Sequence, residues 1–133
     1  MQEHRYYEPR LVAVSKLQTI ESILSAYEAG QRHFGENYVN ELVEKSSNSQ
    51  ILEKCKEIQW HFIGNLQRNK VNKVLNVPNL YVIETVDDDR LANALNNSWS
   101  RFRRNDDSKL SIMVQVNTSQ EKGNKLVIKI CAL

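Results

Sequence analysis

Leu11-Val12-Ala13-Val14-Ser15-Lys16 is a short apolar run that stops on a lysine. Runs of this length, rich in Val and Leu and bounded by polar residues, read as strands buried on both faces. The spacing then changes. Ile20, Ile23, Leu24 and Tyr27 fall at i, i+3, i+4 and i+7, one face of a helix, with Thr19 placed as its N-cap. Lys16 therefore stands where a strand ends and a helix is about to begin, the edge of an α/β fold at which ligands bind and chemistry is done. A lysine whose stem leaves an apolar strand is partly desolvated, which disfavours its charged form. A neutral amine there can attack an aldehyde and form a Schiff base. On these residues alone, a plain strand-end lysine reaching into solvent is the more common occupant of such a position.

The same alternation repeats along the chain. Gly30 ends the first helix as a C′ residue. A strand over 32–35 follows, then polar Glu36-Asn37 and helical spacing at Tyr38, Val39, Leu42 and Val43. Ser46-Ser47-Asn48-Ser49 breaks that helix, and Ile51, Leu52, Cys55 and Ile58 mark a second piece. Residues 59–63 read as a strand, Gly64-Asn65 as a turn, and Val71, Val74 and Leu75 as a helix face. Pro78-Asn79 marks a loop, and 80–83 a fourth strand. Asp87-Asp88-Asp89 suits the N-terminus of a helix that buries Leu91, Leu95, Trp99 and Phe102. Residues 110–116 read as a fifth strand, with Leu110, Ile112, Val114 and Val116 on one side and Met113, Gln115 and Asn117 on the other.

Strands alternating with helices argue for βαβ units and a parallel sheet. No Gly-rich phosphate loop of the dinucleotide or P-loop type is present among the four scattered glycines. A complete (β/α)₈ barrel needs about 250 residues and the chain has 133, so the choice lies between a small open sheet and a piece of a barrel. A hydrophobic fraction of 41% fits one globular domain with a real core, and a formal charge of +2 is too small to imply nucleic acid or an anionic membrane as partner. Met1 to Arg10 is polar and holds Glu3 and Glu8, which fits neither a signal peptide nor a transit peptide. Cys55 and Cys131 suit free thiols of a reducing compartment. The expected location is cytoplasmic, with mitochondrial association left open.

Three strand ends carry polar clusters: Ser15-Lys16, Gly35-Glu36-Asn37, and Gly64 through Lys70. The C-terminal ends of parallel strands share one rim, so these clusters should converge in space. Each has a plain reading too. Asn37 is placed to cap its helix, and Gln67, Arg68, Asn69 and Lys70 to form a solvated first turn. His33 and His61 read as packed, hydrogen-bonded histidines. No histidine has metal-ligand spacing with either cysteine. Arg101, Arg103 and Arg104 read as a solvated helix end.

LVAVSK (11–16), HFGENYVNE (33–41), WHFIGNLQRNK (60–70) and QVNTS (115–119), in this order and spacing, resemble the pyridoxal phosphate homeostasis family, also called proline synthetase co-transcribed homologue proteins. The resemblance covers about residues 10 to 122. It implies a partial (β/α)₈ TIM barrel of the alanine racemase N-terminal type, with about five strands alternating with helices and 1–133 as one incomplete domain. It further implies that Lys16 holds pyridoxal 5′-phosphate as a Schiff base, that Asn37 belongs to the cofactor pocket, and that no catalysis is established.

The family pattern also departs from this chain. Only about ten residues precede Leu11, where the family places a helix, and 123–133 form a divergent tail after which three further strand–helix units are absent. The expectation is a truncated form lacking the segments that grip the cofactor phosphate, hence weak binding and little preference for the phosphate over free pyridoxal. Leu126, Val127, Ile128, Ile130 and Cys131 form an apolar segment able to add a strand or cover the open face. Three functions are thereby open: a carrier or buffer of vitamin B6, a racemase-like enzyme, or a non-binding form acting through protein partners that the sequence does not identify.

Overall fold

The structure, a computed structural model, describes residues 8–102, 108–116 and 126–128. Its sheet has the strand order β1-β2-β3-β4-β5-β6, which is the order of the chain. The strands are β1 (Ala13–Val14), β2 (His33–Glu36), β3 (Gln59–Phe62), β4 (Leu80–Val86), β5 (Ser111–Val116) and β6 (Leu126–Ile128). The first five are parallel, and β6 runs antiparallel to β5. Helices α1 (Ile20–Glu28), α2 (Val39–Ser46), α3 (Ser49–Lys54), α4 (Val71–Leu75) and α5 (Asp89–Phe102) fill the crossovers. A parallel sheet whose spatial order follows the chain, with helical crossovers, is the architecture of part of a (β/α)₈ barrel.

The local signals work as expected at most boundaries. Thr19 caps α1, its side chain accepting from the Ser22 N–H. Gly30 takes φ +103° just past the α1 C-cap, a conformation open to a residue without a Cβ. Asn48 caps α3 in the same way, through the Gln50 N–H. Asp88 accepts from the Leu91 N–H at 2.6 Å at the start of α5. The helix-side face of the sheet, with Phe34, Trp60, Phe62, Ile83 and Ile112, packs against Ile23, Leu42, Ile51, Val74, Leu91 and Leu95 to make the core. Trp99 and Phe102 pack at its margin and are only partly buried.

Three expectations change. β1 is not buried on both faces: it is a two-residue edge strand paired only to β2 among the described residues, and Leu11 and Val14 are 75% and 51% exposed. Helices cover the face that carries Ala13 and leave the other side of this edge uncovered. β4 continues past Ile83 to Val86. Its polar residues Glu84 and Thr85 are compatible with a strand because each side chain bonds across to the β3 segment, Glu84 to His61 and Thr85 Oγ1 to the Gly64 carbonyl. The polar run Gln67–Lys70 contains a 3₁₀ turn over Arg68–Lys70 that leads into α4. The tail segment does add a strand, β6, on the β5 edge. Cys131, Arg103, Arg104 and the 117–125 stretch lie outside the described residues; Cys55 is a buried free thiol, its pKa pushed up by burial.

Two leucines test the edge assignment. Leu42 is fully buried and Leu11 mostly exposed. Leu42→Ala should lower the unfolding free energy by about 2–5 kcal/mol, and Leu11→Ala by no more than about 0.5 kcal/mol. Urea titration measures both; comparable losses would mean that the 11–14 run is buried after all.

Candidate functional site

The C-terminal rim of the sheet begins with a turn. Ser15 extends the ladder beyond β1, its N–H donating to the Gly35 carbonyl at 2.9 Å. The Gln18 N–H then returns to the Ser15 carbonyl at 3.0 Å, closing a turn whose two central residues are Lys16 and Leu17. Leu17 adopts φ +60°, a left-handed conformation that such turns usually assign to Gly or Asn. Lys16 is exposed at this turn. The partial desolvation expected of it is therefore not found, because the edge strand beneath it is itself half uncovered.

The buried lysine is another one. Lys45, on α2, lies beneath the turn with its side chain 7% exposed. Its ammonium donates to the Ser15 carbonyl at 2.6 Å, to Glu36 Oε1 at 2.8 Å and to Glu41 Oε1 at 2.7 Å. Ser15 Oγ also donates to Glu36 Oε1, at 2.6 Å, and the Leu17 N–H to Glu41 Oε1, at 2.6 Å. Burial pushes the Glu41 carboxyl up. The hydrogen bonds from Lys45 and Leu17 and the Lys45 charge outweigh it, so the net displacement is downward. Glu36 is fully buried, and its Oε2 has no hydrogen-bond partner among the described residues.

Asn37 follows β2 on the same rim. It does not cap α2: the N-cap is Tyr38, which makes no side-chain cap bond. Asn37 Oδ1 is instead buried without a partner among the described residues. Asn37 lines a cleft of about 290 Å³ with Tyr38, Asn65, Gln67 and Lys70. The β2 and β3 ends meet here so closely that a Cβ on Gly64 would lie 1.8 Å from the Asn37 carbonyl oxygen. The polar clusters thus converge as expected, although Lys16 is not among the residues lining this cleft.

On the sheet face away from the helices, His33 Nδ1 and His61 Nε2 are 2.9 Å apart, and His61 Nδ1 lies 2.5 Å from Glu84 Oε1. Tyr81 packs edge-on against His33, and Arg10 bonds the Tyr81 hydroxyl. Burial, with the charges of Arg10 and His61 adding to it, holds His33 below the ordinary histidine pKa. Among the described residues no group of three or more His, Cys, Asp or Glu could hold a metal ion, and no helix is long and apolar enough to cross a membrane.

No family model matches the sequence. The human pyridoxal phosphate homeostasis protein is 54% identical over 115 residues, 86% of this chain and 41% of that protein. The chain is a homologue of the pyridoxal phosphate homeostasis proteins. It spans about two-fifths of the length of the curated vertebrate relatives it matches. Among solved structures, PipY of Synechococcus elongatus without PLP superposes with a TM-score of 0.74 at 32% identity, covering 87% of this chain and 50% of PipY. PipY with PLP bound superposes at 0.64 with 36% identity, covering 72% of this chain and 44% of PipY.

Sequence reasoning placed Lys16 and Asn37 on neighbouring strand ends of this pyridoxal phosphate homeostasis homologue, but it missed Lys45 and Glu41. One signal was available: Tyr38, Leu42 and Lys45 share the i, i+4, i+7 spacing of one helix face, so Lys45 falls beside fully buried Leu42. Glu36 was read only as part of a polar cluster, and its complete burial was not anticipated.

Two substitutions test this geometry. Gly64→Ala must push the two strand ends apart and should cost about 3 kcal/mol or more. Gly30→Ala meets no atom within 4 Å and should cost only about 1–2 kcal/mol of left-handed backbone strain; equal melting shifts would refute the close approach. His33 supplies a pH test. Because its folded pKa is depressed, its contribution to stability is complete above the unfolded value, about pH 6.5, and is lost as the pH falls through the folded value. His33→Gln should therefore flatten the decline of the urea midpoint between about pH 7 and 5. An unchanged slope would contradict the assignment.

Proposed function

We propose that this chain holds pyridoxal phosphate reversibly on Lys16 and acts as a carrier or buffer of that cofactor rather than as an enzyme. The observation that carries the reading is the placement of Lys16: an exposed primary amine at the C-terminal end of a parallel strand, on a turn fixed by hydrogen bonds. That PipY has been solved with PLP bound supports the choice of ligand. The relatives are named for homeostasis, which supports the carrier role.

The residues present fit such a group. When bound, the cofactor supplies an electrophilic aldehyde carbon. Lys16 would hold the group through its side-chain amine, which in its neutral form is a nucleophile suited to such a carbon. Attachment of this kind would be reversible by water, which suits a carrier that hands its ligand on. Asn37, with an amide oxygen that lacks a partner among the described residues, would offer a polar group from the adjacent strand end, in the cleft it lines with Asn65, Gln67 and Lys70. Exposure of Lys16 suits exchange of the ligand with an acceptor, since water reaches the attachment point.

Borohydride reduction in the presence of pyridoxal phosphate, followed by peptide mapping, tests the reading. The pyridoxyl group should map to Lys16, and Lys16→Ala should abolish it. Label spread evenly over exposed lysines such as Lys54, Lys56 and Lys109 would overturn it.

A further inference from the structure

We infer that Glu41 and Lys45 are positioning residues for Lys16: together they form a buried ionic clamp on the two peptide groups that meet at the Lys16 Cα. The inference rests on the reading of Lys16 given above, and it adds a function for side chains on a different element. The peptide before Lys16 is held through its carbonyl oxygen, Ser15 O, by the Lys45 ammonium at 2.6 Å. The peptide after Lys16 is held through its N–H, that of Leu17, by Glu41 Oε1 at 2.6 Å. Glu41 and Lys45 are themselves joined at 2.7 Å as an i, i+4 pair on α2. Both backbone anchors of Lys16 therefore lead to one helix.

Two further observations argue that this arrangement serves the turn and not merely the core. Leu17 is held at φ +60° although the residue is 77% exposed, so burial does little to offset the unfavourable backbone. Strain of this kind persists only where surrounding contacts over-determine it, and such places cluster at ligand sites. The clamp supplies those contacts. Moreover, an i, i+4 Glu–Lys pair can form on a solvated helix face with little desolvation. Here Lys45 is instead buried, against a fully buried Glu36 with an unpartnered oxygen, at a desolvation cost that core packing alone does not require. The consequence is a fixed Cα–Cβ direction for Lys16, which confines the region of the rim that its amine sweeps. Orientation of a reacting group to within an ångström decides rates by orders of magnitude.

Glu41 is the residue to vary, because it is only partly buried and its loss leaves the Lys45–Glu36 pair intact; the full 133-residue chain is used. Glu41→Ala removes the acceptor for the Leu17 N–H, whereas Glu41→Gln keeps an oxygen there. Amide hydrogen exchange at Leu17, which needs no cofactor, should accelerate about tenfold or more in Glu41→Ala and stay near wild type in Glu41→Gln. With limiting pyridoxal phosphate and borohydride, the yield on Lys16 should fall about tenfold in Glu41→Ala and recover largely in Glu41→Gln. Unchanged Leu17 exchange would overturn the clamp itself. Faster exchange with an unchanged Lys16 yield would overturn its positioning role while leaving the cofactor reading intact. Wild-type protein that traps nothing on Lys16, with Leu17 protected as expected, would overturn the cofactor reading and with it the purpose assigned to the clamp.

Discussion

A single buried ammonium organises the rim of this sheet. Lys45 has three N–H donors, and all three are used: on the Ser15 carbonyl, on Glu36 and on Glu41. These acceptors come from the end of β1, the end of β2 and helix α2, so one side chain ties the end of β1 to the β2–α2 segment that lies 21 to 30 residues further along the chain. The Lys45–Glu36 pair is its buried centre. Removing one partner of a buried pair typically costs about 3–5 kcal/mol, because the other charge is left without compensation. That sum is a large fraction of the stability of a domain of this size.

The rest of the site follows from this tie. With the β1 and β2 ends locked, Asn37 is brought against the β3 end at Gly64, where only a residue without a Cβ lets the two backbones approach. Thr85 on β4 continues the contact by donating to the Gly64 carbonyl. The rim is thus a chain of polar contacts running from Ser15 to Thr85 across four strands, and Lys16 and Asn37 stand on it as the exposed amine and the unpartnered amide. The hydrophobic core lies on the helix side of the sheet and supports the rim without contributing side chains to it. This division lets the site remain polar and open to water while the fold beneath it stays packed.

Much of this was legible in the sequence wherever local chemistry decides local structure. Period-3.6 spacing located the helices, the caps at Thr19 and Asp88 act as their residue types require, and five parallel strands in chain order follow from their alternation with helices. What failed did so for non-local reasons. An apolar run has the same composition in a central strand as at a sheet edge, so Leu11 and Val14 gave no warning of their exposure. The extension of β4 over Glu84 and Thr85 was not read because the partners that accommodate them, His61 and Gly64, belong to another part of the chain. For the site, the rim position of Lys16 could be read from one strand and one helix. The clamp could not, since it requires knowing that Glu36 and Lys45 are buried against each other. Charged residues are seldom fully buried, and reading them as solvated is correct nearly everywhere else.

The central claim is that Lys16, presented by a fixed turn, is the point at which this chain holds pyridoxal phosphate. The most direct measurement is a crystal structure of the protein grown with the cofactor. Continuous density should run from Lys16 Nζ to the aldehyde carbon, with the Ser15–Lys45 and Leu17–Glu41 hydrogen bonds retained. Density joined to a different lysine, or cofactor bound on the sheet with Lys16 free, would contradict it.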